Sequence, residues 1–305
     1  MQEGLPSITA MYVAFARGVS TYDTELSRIC EDHFAEQLLP HGVGSVISIA
    51  RSGSAAAAIF RGLREASLGF FDHLALRTRI IDDAVTKATT DGARQVVLLG
   101  AGLDARAHRL RCLQNSTVFE VDFPSTQELK RRKASALPLA ARAVRYAACD
   151  FNDVTLQEAL VAIGFNPAQP TIWVWEGVTM YLPSEAVEAS VAAMAELSAA
   201  DSTLIVTYVT PERAVFVPKL APFMAGLLGV LAEPLRANFT PEAMAALLQK
   251  HGFDRTNDQL IHDAGARYGL RGARIAFATP AEHVAVTRRN RNRAVSSASS
   301  EEEKS

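Results

Sequence analysis

Apolar and polar positions alternate with two different periods along this chain, and the change comes near residue 90. Before it, the pattern is helical. Ile59, Leu63, Ala66 and Phe70 recur at helical spacing, and Leu74, Ile80, Ile81, Ala84 and Val85 continue an apolar face that Arg77 and Arg79 interrupt. After it, short apolar runs alternate with amphipathic stretches. Strands are expected at 96–99, 117–121, 144–148, 171–175 and 203–209. The last of these, Thr-Leu-Ile-Val-Thr-Tyr-Val, is uninterrupted enough to be a central strand covered on both faces. Helices are expected over roughly 104–112, from Pro124 onward, over 154–162 and over 184–199 with Ser184 as cap. Another starts at Thr240-Pro241-Glu242, buries Met244, Leu247 and Leu248, and is closed by Gly252. Two final strands, 273–278 and 283–288, would form a hairpin around Thr279-Pro280.

This rhythm describes an α/β protein: a doubly wound, Rossmann-like sheet with a helical lid before strand one and a helical insertion after strand five. Residues 1–90 are read as the N-terminal helical cap and 91–290 as the core, with an insertion over 211–237. Residues 291–305, an arginine cluster followed by serines and glutamates, are read as a flexible tail.

Composition excludes some classes. The chain has 305 residues with 31 basic and 33 acidic side chains, so no global charge argues for a nucleic-acid or membrane partner. The basic run Lys130-Arg131-Arg132-Lys133 is read as a solvated helix end. The stretch from Pro218 to Ala232 is apolar but too short to span a bilayer. Cys30, Cys112 and Cys149 lie too far apart for a zinc pattern or a disulfide framework, and no metal site is expected. No leader is visible at the N-terminus. The expectation is a cytoplasmic monomer or homodimer acting on a small molecule.

The chemistry concentrates at the carboxyl ends of the predicted strands. Val96-Val97-Leu98-Leu99 runs into Gly100-Ala101-Gly102-Leu103-Asp104, and Thr117-Val118-Phe119-Glu120-Val121-Asp122 ends in carboxylates about twenty residues later. Asp150 and Glu176 close the next two strands. Glycines let a ligand approach the backbone, and an acid on the neighbouring strand accepts from ribose hydroxyls. The third glycine of the dinucleotide fingerprint is missing, which disfavours a pyrophosphate. A nucleoside without phosphates, S-adenosylmethionine above all, fits better. A dehydrogenase would need that glycine and a proton relay, and a non-catalytic binding protein would not need an acid on each strand.

The segments Leu99 to Leu110, Phe119-Glu120-Val121-Asp122-Phe123-Pro124 with a basic residue at 130–131, Cys149 to Val154, and Trp175-Glu176-Gly177-Val178-Thr179-Met180-Tyr181-Leu182 stand in an order that closely resembles the leucine carboxyl methyltransferase family, with its bacterial and polyketide-tailoring relatives. Leu76-Arg77-Thr78-Arg79-Ile80-Ile81-Asp82 resembles the family's arginine segment. The resemblance implies a methyltransferase that uses S-adenosylmethionine. It implies that Arg77 or Arg79 binds the methionine carboxylate and that Gly100, Ala101, Gly102 and Asp104 wrap the methionine part. Glu120, with Val121 and Asp122, would hold the ribose, Asp150 and Phe151 would lie by the adenine, and Glu176 would line the junction with the acceptor. Phe151-Asn152 stands where relatives commonly carry leucine and arginine, and Gly177 where the eukaryotic branch carries cysteine. Two residues apart on a helix, the two arginines cannot face one way, and Arg77 shares the side of Leu74 and Ile81.

For the transfer itself, Glu176, Tyr181 and Tyr208 are the candidate catalytic residues, and Arg17, Tyr22 and Tyr208 the candidate acceptor contacts. His33, His41, His108 and His262 offer no convincing general base. That lack favours an acceptor already ionised, a carboxylate on a largely apolar metabolite. The alternatives are a phenolic or enolic hydroxyl, or a protein C-terminus.

Overall fold

The parallel strands order themselves around β1 (Gln95–Leu99), which pairs with β2 (Thr117–Asp122) on one side and β4 (Thr171–Trp175) on the other. The computed structural model describes residues 7–67, 69–150, 154–211, 235–270 and 281–290. Within them β3 (Ala143–Ala148), β5 (Thr203–Val209), β6 (Phe253–Leu260) and β7 (Glu282–Arg289) complete a seven-stranded sheet ordered β3-β2-β1-β4-β5-β7-β6. The order reverses between β1 and β4, so a crevice opens at the carboxyl ends of these strands. β7 runs antiparallel between β5 and β6.

The sequence placed six of these strands almost to the residue, β7 among them, and β5 is buried at every position. The C-terminal hairpin needs correction. β6 comes from Phe-Asp-Arg-Thr-Asn-Asp-Gln-Leu, an edge strand with one fully buried residue and too polar for its pattern to stand out. With β5 and β6 as its neighbours, β7 has no edge left for a strand at 273–278, which lies outside the described residues. The tail 291–305 and 212–234 of the insertion also lie outside them.

Helices cover both faces. On one pack α1 (Ile8–Tyr22), α2 (Ala35–Leu38), α3 (His41–Ser52), α4 (Ala56–Ala66) and α5 (Phe70–Thr90), whose apolar residues share a core with Val96, Leu98, Val118, Ile172, Val174, Ile205 and Val284. On the other, α8 (Leu156–Ala162), α9 (Ser184–Glu196) and α10 (Pro241–Lys250) pack on Val97, Leu99, Phe119, Trp173, Trp175, Leu204 and Val206. Alternate residues of each strand face alternate cores, as the pleat requires. Three local readings change. Ile59 is 42% exposed, and α4 buries Phe60 and Arg64 instead, because Gly69 at φ 91° breaks the apparent 59–70 stripe into two helices. Pro183, not Ser184, is the cap residue of α9. The helix expected over 104–112 is one turn, α6 (Arg106–Arg109), followed by a 3₁₀ turn.

Helix α7 (Pro124–Ala134) begins with its proline in the first turn, where the missing N–H costs nothing. Its basic run is not uniformly solvated. Lys130 is fully buried, with Nζ 2.5 Å from Glu120 Oε2, itself fully buried on β2. Burial pushes the Glu120 carboxyl up; Lys130 opposes this without cancelling it, Asp104 and Asp122 add to it, and the result is about 7. A carboxyl raised in the folded state binds more protons there than in the unfolded chain between its ordinary value and 7, so its contribution to stability falls as pH rises through that window. Chemical denaturation from pH 4.5 to 7.5 is therefore expected to show wild type losing stability with rising pH relative to a Glu120→Leu/Lys130→Met double variant. Parallel curves for the two proteins would refute the assignment.

Candidate active site

The turn after β1 takes a shape that only glycine adopts without strain. Gly100 has φ 69° and Gly102 φ 50°, both left-handed. A Cβ on Gly100 would stand 2.7 Å from Val178 Cγ2, and one on Gly102 3.0 Å from Ala10 Cβ. The loop is thus gripped between the turn after β4 and α1. The Val121 carbonyl accepts from the Gly100 and Ala101 amides at 2.9 and 3.1 Å. The Gly102 amide donates to Asp122 Oδ2, and the Phe123 amide to Oδ1 at 2.6 Å. Burial raises the Asp122 carboxyl against the pull of these two amides. Asp122 is only half-buried, so it is the β2 carboxylate that lies at the crevice. Glu120, two residues deeper on the same face, is sealed over Lys130, which corrects its expected place beside the ribose. Asp150 follows β3 at the same edge. Phe151 lies outside the described residues.

A chain of buried ion pairs runs beneath this edge. Arg77 of α5 donates from Nε to Glu176 Oε1 at 2.9 Å and from Nη1 to Glu282 at 3.1 and 3.2 Å. Arg106 donates from Nη1 to Glu176 Oε2 at 2.7 Å and also to Asp104 Oδ2, and from Nε to Asp82 Oδ1 at 2.7 Å. Arg109 grips Asp82 with two bonds of 2.5 and 2.9 Å and faces Asp32 at 3.5 Å. His73 Nε2 lies 2.6 Å from Glu282 Oε2. Burial alone would raise Glu176, but Arg106 and Arg77 outweigh it and hold it below the usual carboxylate range. Asp104 is depressed in the same way, with Arg106 first among its opposing charges, and its oxygens accept from the Arg106 amide and Nη1. Arg77 Nη2 has no acceptor among the described residues, and Arg106 Nη2 is buried without one.

Other expected residues stand elsewhere. Arg79 is only half-buried, pairing with Asp83 at 2.9 Å and lying over the Tyr268 ring. Arg17 is buried against the glycine turn, donating to the Leu103 carbonyl at 3.2 Å and facing Asp32, so it braces the loop. Tyr22 stacks on Phe60 at the far end of α1. Tyr181 ends a 3₁₀ turn five residues beyond Glu176 and remains at this edge. Tyr208 does not: it is fully buried on the opposite face, its hydroxyl donating to Asp258 Oδ2 at 2.6 Å and its ring stacked on His283. Neighbouring strand residues point to opposite faces, and Thr207 is the one on the site's side. His108 is buried with Nδ1 3.0 Å from the Pro138 carbonyl, and burial lowers its pKa. His33 and His262 pair locally with Glu31 and Asp263. Sequence reasoning assigned no role to Asp82, Arg106, Arg109, His73 or Glu282. For His73 and Asp82 the signal was charge on the apolar face of α5; Glu282, at the start of a strand, had none.

A cavity of about 590 Å³ lies at the other end of the strands, lined by Arg94, Arg142, Arg145 and neutral polar residues. Arg94 donates to the Thr89 carbonyl at the end of α5, and Arg145 to the Ile163 carbonyl at the end of α8. These guanidinium groups cap helix C-termini. The chemistry is at the glycine edge.

No group of histidine, cysteine and acidic side chains among the described residues could hold a metal, and no described helix is long and apolar enough to cross a membrane. The glycine edge offers a guanidinium with a spare donor, a half-buried carboxylate and a glycine turn. That set fits a nucleoside carrying an amino-acid tail. Residues 10–195 match the leucine carboxyl methyltransferase family. A protein of Mycolicibacterium gilvum provisionally named an S-adenosyl-L-methionine-dependent methyltransferase is 33% identical over 264 residues, 85% of this chain and 77% of the relative. One from Mycolicibacterium paratuberculosis is 39% identical over 202 residues, 66% and 65% of the two chains. Solved structures share the fold: a provisionally assigned methyltransferase of Thermobifida fusca at TM-score 0.56 and 16% identity, covering 95% of this chain and 97% of that one, and a DUF574 family protein of Streptomyces avermitilis at 0.51 and 17%, covering 89% and 96%. With that match across more than half its length, the chain belongs to the leucine carboxyl methyltransferase family and is an enzyme that uses S-adenosylmethionine as methyl donor.

Proposed function

We propose that the enzyme methylates a carboxylate oxygen of a small, largely apolar metabolite, giving a methyl ester. The observation that carries this reading is the state of Glu176. It is locked as an anion between Arg77 and Arg106 at the mouth of β4, and a carboxylate so held is a poor proton acceptor. His73 is committed to Glu282, and His108 is buried against a backbone carbonyl. An acceptor that arrives ionised needs no base, so the enzyme has only to position it. The apolar composition of 211–235 suits a lipophilic acceptor.

In this reading Arg77 meets the methionine carboxylate through Nη2, Asp122 accepts from the ribose hydroxyls, Asp150 and Phe151 border the adenine, and the Gly100–Gly102 turn lies along the methionine chain. Glu176 faces the junction with the acceptor, and Tyr181 follows on the same turn. The donor, when bound, supplies an electrophilic methyl on a sulfonium. The protein aligns the acceptor oxygen opposite the leaving sulfur and excludes water.

Three outcomes are expected. By calorimetry with S-adenosylhomocysteine, Arg77→Ala should raise Kd at least about tenfold and Arg79→Ala should leave it unchanged, in keeping with the loss of one charged hydrogen bond; the reverse result would move the role to Arg79. Asp122→Ala should weaken the same ligand by about 1.5–3 kcal/mol, with Asp122→Asn intermediate; full affinity in Asp122→Ala would exclude it from the ribose. The acceptor class is read from the product. Mild alkali should release the transferred methyl from an ester and leave it on an ether, and the rate should stay nearly flat from pH 8 down to about 6 because a carboxylic acid ionises near 4. A methyl that survives alkali would establish hydroxyl transfer, and product formed only on a folded protein would establish a protein C-terminus.

A further inference from the structure

Glu282 opens β7, about two hundred residues from the arginine that it meets, and nothing in its own neighbourhood requires a buried acid. It is fully enclosed, yet every one of its contacts leads to the donor-binding edge. Oε1 and Oε2 accept from Arg77 Nη1, and Oε2 also meets His73 Nε2 at 2.6 Å. The Thr207 hydroxyl lies beside the same carboxylate and helps to hold it down. That hydroxyl also accepts from the Gly177 amide at 2.8 Å, in the turn that carries Glu176. Gly177 sits at φ 68°, and a Cβ there would lie 3.5 Å from both Nη atoms of Arg77, so the turn closes directly over the guanidinium plane.

The Arg77 guanidinium is therefore held at two of its three nitrogens. Glu176 fixes Nε and Glu282 fixes Nη1, which leaves Nη2 as the one nitrogen without an acceptor among the described residues. A planar fork fixed at two corners has no rotational freedom at the third. We propose that Glu282 is a positioning residue that orients Arg77 so that Nη2 meets the carboxylate of the methyl donor's amino-acid tail. His73 holds Glu282 at Oε2, beside Arg77. This proposal rests on the reading of Arg77 as the carboxylate-binding residue. It adds that the aim of that arginine is set from β7 and not by α5 alone. Charge supports the arrangement: burial would raise the Glu282 carboxyl, but Arg77 and then His73 and Thr207 hold it down to about 2, so the anion that grips Arg77 persists at every pH at which the enzyme works.

The test compares two ligands that share adenosine and sulfur but differ in the tail. S-adenosylhomocysteine carries the carboxylate, and 5′-methylthioadenosine does not. Their affinities are measured by calorimetry for wild type, Arg77→Ala, Glu282→Gln and the double variant. Glu282→Gln should weaken S-adenosylhomocysteine about tenfold, the scale of one charged hydrogen bond, while 5′-methylthioadenosine stays within about twofold of wild type. The double variant should bind no more weakly than Arg77→Ala, because two residues that act through one contact are not additive. If Arg77→Ala weakens S-adenosylhomocysteine and Glu282→Gln does not, the positioning role is wrong and the reading of Arg77 stands. If Glu282→Gln weakens both ligands alike, Glu282 merely supports the fold and the proposal fails. If Arg77→Ala binds S-adenosylhomocysteine as wild type does, the reading of Arg77 fails and this proposal with it. Should Glu282→Gln give no folded protein, Glu282→Asp, which keeps the charge but is one methylene shorter, is judged by the same outcomes.

Discussion

The donor-binding edge depends on one constraint: charges taken out of water must neutralise each other inside the protein. Arg77, Arg106 and Arg109 reach inward from α5 and α6, and Asp82, Asp104, Glu176 and Glu282 meet them in ion pairs. Such a chain adds little net stability, because desolvation offsets the attraction, but leaving any member unpaired costs about 3–5 kcal/mol. Each partner is therefore fixed by the others. The glycine turn, the end of β4, α5 and the start of β7 can occupy only relative positions that keep every pair intact.

The same constraint explains what could be read in the sequence and what could not. Strands β1, β4 and β5 were legible because short, unbroken apolar runs rich in β-branched or aromatic residues stand between helical stretches, and β2 and β3 because they continue that rhythm. The glycine turn and the acids at the strand ends were legible because their residue types are unusual there. Lys130 was not, since a lysine in a basic run at a helix end looks the same whether it faces solvent or, as here, lies enclosed against Glu120. Asp122 and Glu120 have the same parity on β2, so the sequence could not say which was the deeper. Tyr208 failed for the opposite reason. In a strand covered on both sides, nothing local tells which parity faces the ligand, and Tyr208 proved to belong with Asp258 and His283. β6 lacked an apolar pattern because it is an edge strand.

The two faces of the sheet divide the work. On one, α8, α9 and α10 pack against aromatic and aliphatic side chains that serve the fold. On the other, the N-terminal helices lie across the glycine turn, with Ala10 against Gly102 and Arg17 bonded to Leu103. A helix laid on the loop that receives the donor holds the loop's left-handed backbone in place.

The position of Glu282 on the last strand has a consequence for how the molecule is made. The Arg77–Glu282 pair closes a loop of 205 residues, and β7 completes it only by inserting between β5 and β6. Contacts this distant in sequence form late, because the entropy of closing the chain is lost before any native contact compensates for it. All four glycine-edge motifs precede β7 in the chain, and without Glu282 the Arg77 guanidinium keeps only its bond to Glu176. In the reading of Arg77 proposed above, the aim of its guanidinium toward the donor's tail therefore waits for β7.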